Sequence, residues 1–263
     1  IISDIQDVER LKIPHPSAGL WGKRLKWWQQ MKELTKKTAV YLNKKRIPVR
    51  VGPLSTDCYG PHMIACDLVG DKFYWWMLEY PKVCHQLLDK ITNGMIGAEK
   101  YFRKIDPTPR GSFIVPEDSA QIMSSDMFRE FCVPYDNRMY DTFGKGLKDG
   151  RGMHMCGQST HLHKALLNDA RITSFILFGS PVKPEVAAKN LGGRMYLWGN
   201  IDPMLILNGP KEKIREAAMD CLINLGPCGG FVLADGANIC PGTSLENMAV
   251  LRQAAEEYGL PPA

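Results

Sequence analysis

The sequence lacks an apolar run of the roughly 18 residues that a membrane helix needs, so no membrane-spanning helix is expected. It also lacks low-complexity tracts and long blocks of one charge, which argues against extended disorder. A net charge of +5 would favour anionic small molecules, but it falls well short of the concentrated excess of a nucleic-acid binder. Neither Gly-x-Gly-x-x-Gly nor a phosphate-loop lysine follows any strand-like run, so the usual nucleotide fingerprints are missing. No Asn-Gly or Asp-Gly pair joins adjacent strand-like runs, so hairpins are not expected either. The eight cysteines (58, 66, 84, 132, 156, 221, 228 and 240) are spread through a long chain rather than crowded. That pattern suits reduced thiols in a cytoplasmic protein, with a few available to a metal. An initiator methionine and a secretory leader are absent too. The start Ile1-Ile2-Ser3 is expected of a fragment or a processed form.

What remains is an ordinary soluble composition, 44% apolar and 23% charged, over 263 residues, enough for one large domain spanning 1–263. Periodicity predicts helices over 23–45, in pieces over 62–80, over 81–104, over 125–148 with a break at Pro134, and over 211–225 and 246–258. Apolar runs predict strands at 47–51, 111–115, 153–156, 172–178, 195–198 and 231–234. Strand and helix alternate, which is the pattern of a parallel α/β fold. Six strands are two short of a closed barrel. The expectation is an (α/β)8 TIM-type barrel without its first one or two β/α units, with an open doubly wound sheet as the alternative.

In such barrels polar residues at the carboxyl ends of the strands mark the active site. Here those ends carry Asp57 and Tyr59, Glu117 and Asp118, His154 and Cys156, Asn200 and Asp202, then Asp235, Asn238 and Cys240. His154 and Cys156 are two residues apart in an extended run, so both side chains point to one side. Imidazole nitrogen and thiolate sulfur are preferred zinc ligands, and Cys240 on the same rim is the natural third. The two cysteines fit a buried core equally well by spacing alone. Glu117 and Asp118 read evenly as an acid/base pair or as a carboxylate capping the next helix. His161 and His163, on different faces of a helix, read as surface or capping groups.

Phe113-Ile114-Val115-Pro116-Glu117-Asp118-Ser119-Ala120, His154-Met155-Cys156-Gly157, Gly199-Asn200-Ile201-Asp202-Pro203 and the stretch from Gly230 to Cys240 with Leu245-Glu246-Asn247 resemble, in this order, the uroporphyrinogen decarboxylase superfamily. Within it the His-x-Cys…Cys set is similar to the corrinoid-dependent methyltransferases of the methylcobamide:coenzyme M type. The resemblance implies an (α/β)8 barrel and a zinc ion on His154, Cys156 and Cys240 that activates a thiol. It also implies a methyl group moved between that thiol and a corrinoid supplied by a small partner protein. Glu117 and Asp118 would then act at the reacting centre, and Asp57, Tyr59, Asn200, Asp202 and Asn238 would position substrate. The alternative is a uroporphyrinogen decarboxylase, a tetrapyrrole carboxy-lyase with Asp57 or Asp118 facing the pyrrole nitrogens and no metal. Its arginine-rich amino-terminal segment has no counterpart in this sequence. A non-catalytic barrel with core thiols is the reading from another class. Methyl donor, thiol identity, direction of transfer, a fourth metal ligand and oligomeric state, a homo-oligomer included, stay open.

Overall fold

The computed structural model describes residues 2–56 and 59–259. Its centre is a five-stranded parallel sheet whose strands neighbour one another in chain order. A short antiparallel pair comes first, β1 (Val40–Leu42) with β2 (Lys45–Ile47). The sheet follows as β3 (Ser112–Pro116), β4 (Gly150–Met155), β5 (Phe175–Phe178), β6 (Tyr196–Ile201) and β7 (Phe231–Asp235). Strand–helix alternation in sequential order makes this a partial α/β barrel, the architecture the sequence pattern anticipates.

Register explains which way the functional side chains point. Pro116, His154, Leu177, Trp198 and Val232 form one row across the sheet, and Val115, Met153, Ile176, Leu197 and Phe231 form the next. Adjacent rows face opposite sides of a sheet. The second row starts with four residues at most 2% exposed, Val115, Met153, Ile176 and Leu197, and packs against the helices. Each such side chain contributes on the order of 1.5–3 kcal/mol by leaving water. The first row faces the concave side, where Trp198 and Val232 are still exposed. His154 therefore points into the barrel mouth, not into the core.

The long helix Pro81–Ile105 buries one stripe, with Leu87, Leu88, Ile91 and Met95 in the main core and Phe102 in a second cluster with Leu25 and Leu54. Proline at its first position costs nothing, because that N–H has no helical partner anyway. The expected 125–148 helix is two pieces, Ser125–Phe131 and Val133–Phe143, divided at Cys132 just ahead of Pro134.

Two expectations fail at the amino-terminal side. The helix expected over 23–45 is observed at Gly19–Lys37, and the strand expected at 47–51 is replaced by the hairpin β1–β2. Val40-Tyr41-Leu42 is β-branched and aromatic, which favours a strand over more helix. The turn is Asn43-Lys44, with φ of 48° and 62°. Positive φ at both central residues is the hairpin geometry usually signalled by Asn-Gly, so lysine in the second place hid it. Pro48 then withholds a donor, and 48–56 forms no strand. Among the described residues no helix is long and apolar enough to cross a membrane.

Candidate active site at the barrel mouth

The end of β3 and the end of β4 are stitched together by their backbones, with the Glu117 N–H donating to the His154 carbonyl at 2.9 Å. That places the next residue, Asp118, beside Cys156. The Cys156 N–H donates to Asp118 Oδ1 at 2.6 Å, a short bond of the charge-assisted kind. His154 Nε2 lies 3.5 Å from the same oxygen. One ligand atom each from Asp118, His154 and Cys156 falls within 4.8 Å of the others, and all three residues are only partly buried. Asp118 lies within the 3-10 turn Asp118–Ile122 and makes no cap; its carboxylate aims at β4 instead. This settles its local geometry against the capping expectation.

Burial, the Asp118 hydrogen bond and the Asp118 charge together push the Cys156 thiol up to about 11. At neutral pH the sulfur keeps its proton unless a positive charge arrives, since cations are what lower a thiol's pKa. A carboxylate, an imidazole and a thiol converging on one point with water access form the donor set of an open zinc site. The residues present fit that ion. Gly179 makes the approach possible, because a Cβ there would run into the Cys156 carbonyl.

The remaining expected residues are dispersed. Cys240 is on the loop after β7, with its sulfur 3.8 Å from Met204 Sδ, and stands outside the Asp118–His154–Cys156 group. Asn200 is buried and spends its amide on the Gly179 and Val182 carbonyls, at 3.1 and 2.6 Å, so it fastens the β5 loop rather than facing the mouth. Asp202 caps the helix Pro203–Asn208 through the Met204 N–H at 2.9 Å. Asn238 is exposed on the loop after β7. Tyr59 is exposed and lines a cavity of about 470 Å³ with Trp21, Trp27 and Thr56. Asp57 lies outside the described residues.

Glu117 turns away from its neighbour. It is fully buried, and its Oε1 accepts the His62 N–H at 3.2 Å while Oε2 lies 3.7 Å from His62 Nδ1. Gly60 is obligatory beside it, because a Cβ would occupy the space of this carboxylate. Burial and the neighbouring Asp136 carboxyl hold Glu117 well above the usual carboxylate range, and burial raises Asp136 as well. Burial lowers His62 to about 4, so that imidazole is neutral. This second cluster, with Cys132, escaped the sequence reading. Cys132 and Asp136 do sit four apart, as do His62 and Cys66, and that spacing is the one available signal. His163, expected at the surface, is buried at 2% exposure against Asn190.

A family model described as uroporphyrinogen decarboxylase (URO-D) matches residues 1–258. The chain belongs to the URO-D family. A methylcobamide:CoM methyltransferase, MtaA of Methanosarcina barkeri, is 31% identical over 216 residues, which is 78% of this chain and 58% of that protein. A uroporphyrinogen decarboxylase of Chlorobaculum parvum is 26% identical over 186 residues, 69% of this chain and 51% of its own. A solved methyltransferase structure from Methanosarcina mazei shares the fold at a TM-score of 0.70 and 22% identity, covering 96% of this chain and 69% of that one. This URO-D chain thus spans a little over half the length of the curated relatives it matches.

Proposed function

We propose that the chain, read as a single barrel domain over 1–263, is a zinc-dependent methyltransferase. It would move a methyl group between a corrinoid, carried by a small partner protein, and a small-molecule thiol. The observation that carries this reading is the convergence of Asp118, His154 and Cys156 within 4.8 Å at the strand ends. The 31% identity to a methylcobamide:CoM methyltransferase supports it. Asp118, His154 and Cys156 would hold the ion and leave a fourth position open to the thiol, and Cys240, which stands outside that group on the loop after β7, is proposed as a sulfur ligand in place of Asp118. When bound, the ion would supply the positive charge that keeps an acceptor thiol deprotonated at neutral pH.

The chain's own residues have three tasks. Asp118 pins the backbone at Cys156 and sets the spacing between sulfur and imidazole. His154, on the concave row of the sheet, presents Nε2 to the mouth where a partner protein can dock. The apolar walls, Leu177 beside it in register and Trp198 beyond, thin out the water around a thiolate and so sharpen its nucleophilicity. The test is metal content with activity. Cys156→Ser should lose both the ion and thiol methylation, while a metal-free wild type with full turnover would refute the proposal.

A second reading, decarboxylation of a tetrapyrrole with Asp118 facing the pyrrole nitrogens, draws support from the uroporphyrinogen decarboxylases among the relatives. Consumption of uroporphyrinogen by Cys156→Ser protein would favour it, since that chemistry needs no thiol. The separation of Asn200 and Asp202 into structural contacts lends it no help.

A further inference from the structure

Behind the open cluster lies a sealed one. His62 sits in the first turn of the helix Pro61–Val69, Glu117 directly follows β3, and Cys132 and Asp136 lie one turn apart at the head of Val133–Phe143. All four residues are 0% exposed. One ligand atom each from His62, Glu117 and Cys132 lies within 4.8 Å of the others. His62 Nδ1 and Glu117 Oε2 are 3.7 Å apart, close to the spacing of two ligands on a tetrahedral ion with bonds of about 2.0–2.3 Å.

The polar accounting is what points to a ligand. The Glu117 and Asp136 carboxyls meet each other, but apart from that contact Glu117 Oε2 and both Asp136 oxygens are buried with no described hydrogen-bond donor. Buried polar atoms are nearly always satisfied, and each orphan costs on the order of 1–3 kcal/mol. One proton shared between the two carboxyls would serve two of these three oxygens at most. A cation among His62, Glu117 and Cys132 serves Glu117 Oε2, and Asp136, outside that group but against the Glu117 carboxyl, is the fourth donor beside it.

We propose that His62, Glu117, Cys132 and Asp136 form a second metal site, closed and structural, suited to a zinc-like divalent ion. Four protein donors with no water access are the pattern of structural zinc, whereas the cluster at the mouth leaves a position open. His62 binds as the neutral imidazole that burial already enforces. The carboxyl protons of Glu117 and Asp136 and the thiol proton of Cys132 leave to solvent, three protons for one divalent ion. With no path for water, the ion enters as the chain folds and is retained until it unfolds.

The inference does not depend on the methyl-transfer reading. Purified protein is assayed for zinc before and after native dialysis against a chelator, then after unfolding. The expected result is one ion per chain that survives dialysis and appears only on unfolding. Asp136→Asn and Cys132→Ser should abolish that fraction, and Cys156→Ser should leave it intact. Should Cys132→Ser fail to fold, the wild-type count and the near-isosteric Asp136→Asn still decide. Wild-type protein that holds no chelator-resistant ion, or a resistant ion unchanged by Asp136→Asn, overturns the proposal.

Discussion

Glu117 and Asp118 are neighbours in sequence, yet one carboxylate lies sealed against His62, Cys132 and Asp136 while the other faces a half-exposed imidazole and thiol. The two groups use the same chemical vocabulary of acid, histidine and cysteine. Access to water is what separates them. The strand end at Pro116 explains the split, because consecutive residues leaving a strand point to opposite sides. Water at the mouth lets a substrate replace solvent, which suits turnover. Its absence behind β3 makes every unsatisfied oxygen expensive, which suits a permanent partner.

The largest effect is expected at the open cluster. Cys156→Ser should lower thiol methylation by at least about a hundredfold, since even outer partners of metal ligands cost 10–100-fold, while the melting temperature barely moves. From the sealed side, Glu117→Ala should leave activity per folded molecule alone but cost about 3 kcal/mol. It removes the acceptor of the buried His62 N–H and opens a void. Calorimetry would read that as a drop of roughly 6–12 °C. Asp118→Asn should lower metal affinity at the mouth by about 10–100-fold with the fold retained, measured by chelator competition.

A subtler difference lies in pH. In protein stripped of metal by unfolding and refolded without it, Asp136 keeps its proton when folded up to about pH 8, whereas an unfolded carboxyl has lost it above about pH 4. The folded state then binds more protons than the unfolded one, so stability falls as pH rises. Neutral His62 acts in the opposite sense only below about pH 6.5, where the unfolded imidazole gains a proton. Between pH 6.5 and 8 the buried carboxyls Glu117 and Asp136 set the slope, with the Asp136 proton by itself worth up to about 2 kcal/mol. Denaturant titrations should show that decline in the stripped wild type and a flatter profile in Asp136→Asn. Smallest of all, Asp202→Ala should cost about 1 kcal/mol as a lost helix cap, with KM unchanged. A raised KM would return Asp202 to the substrate.

Much of the frame was legible because it rests on local signals. All five strands of the sheet follow apolar runs, and Lys211–Leu225 appears over the residues its periodicity marks. His154 and Cys156 share a face because period two forces it. The hairpin was hidden because Lys44 adopts a positive φ that glycine usually advertises. The sealed cluster was hidden for a different reason. His62, Glu117, Cys132 and Asp136 come from three elements, and only packing brings them together. Asn200 and Asp202 sit at a strand end like any catalytic pair, but their hydrogen bonds run inward and along the chain.

The central claim is that the mouth cluster is a catalytic metal centre. The direct measurement is thiol methylation from a methylated corrinoid by chelator-treated protein, before and after zinc is returned, in wild type and Cys156→Ser. The account predicts that wild-type turnover disappears on chelation and returns with zinc, and that Cys156→Ser stays inactive throughout. Turnover that ignores the chelator, or that persists in Cys156→Ser, would contradict it.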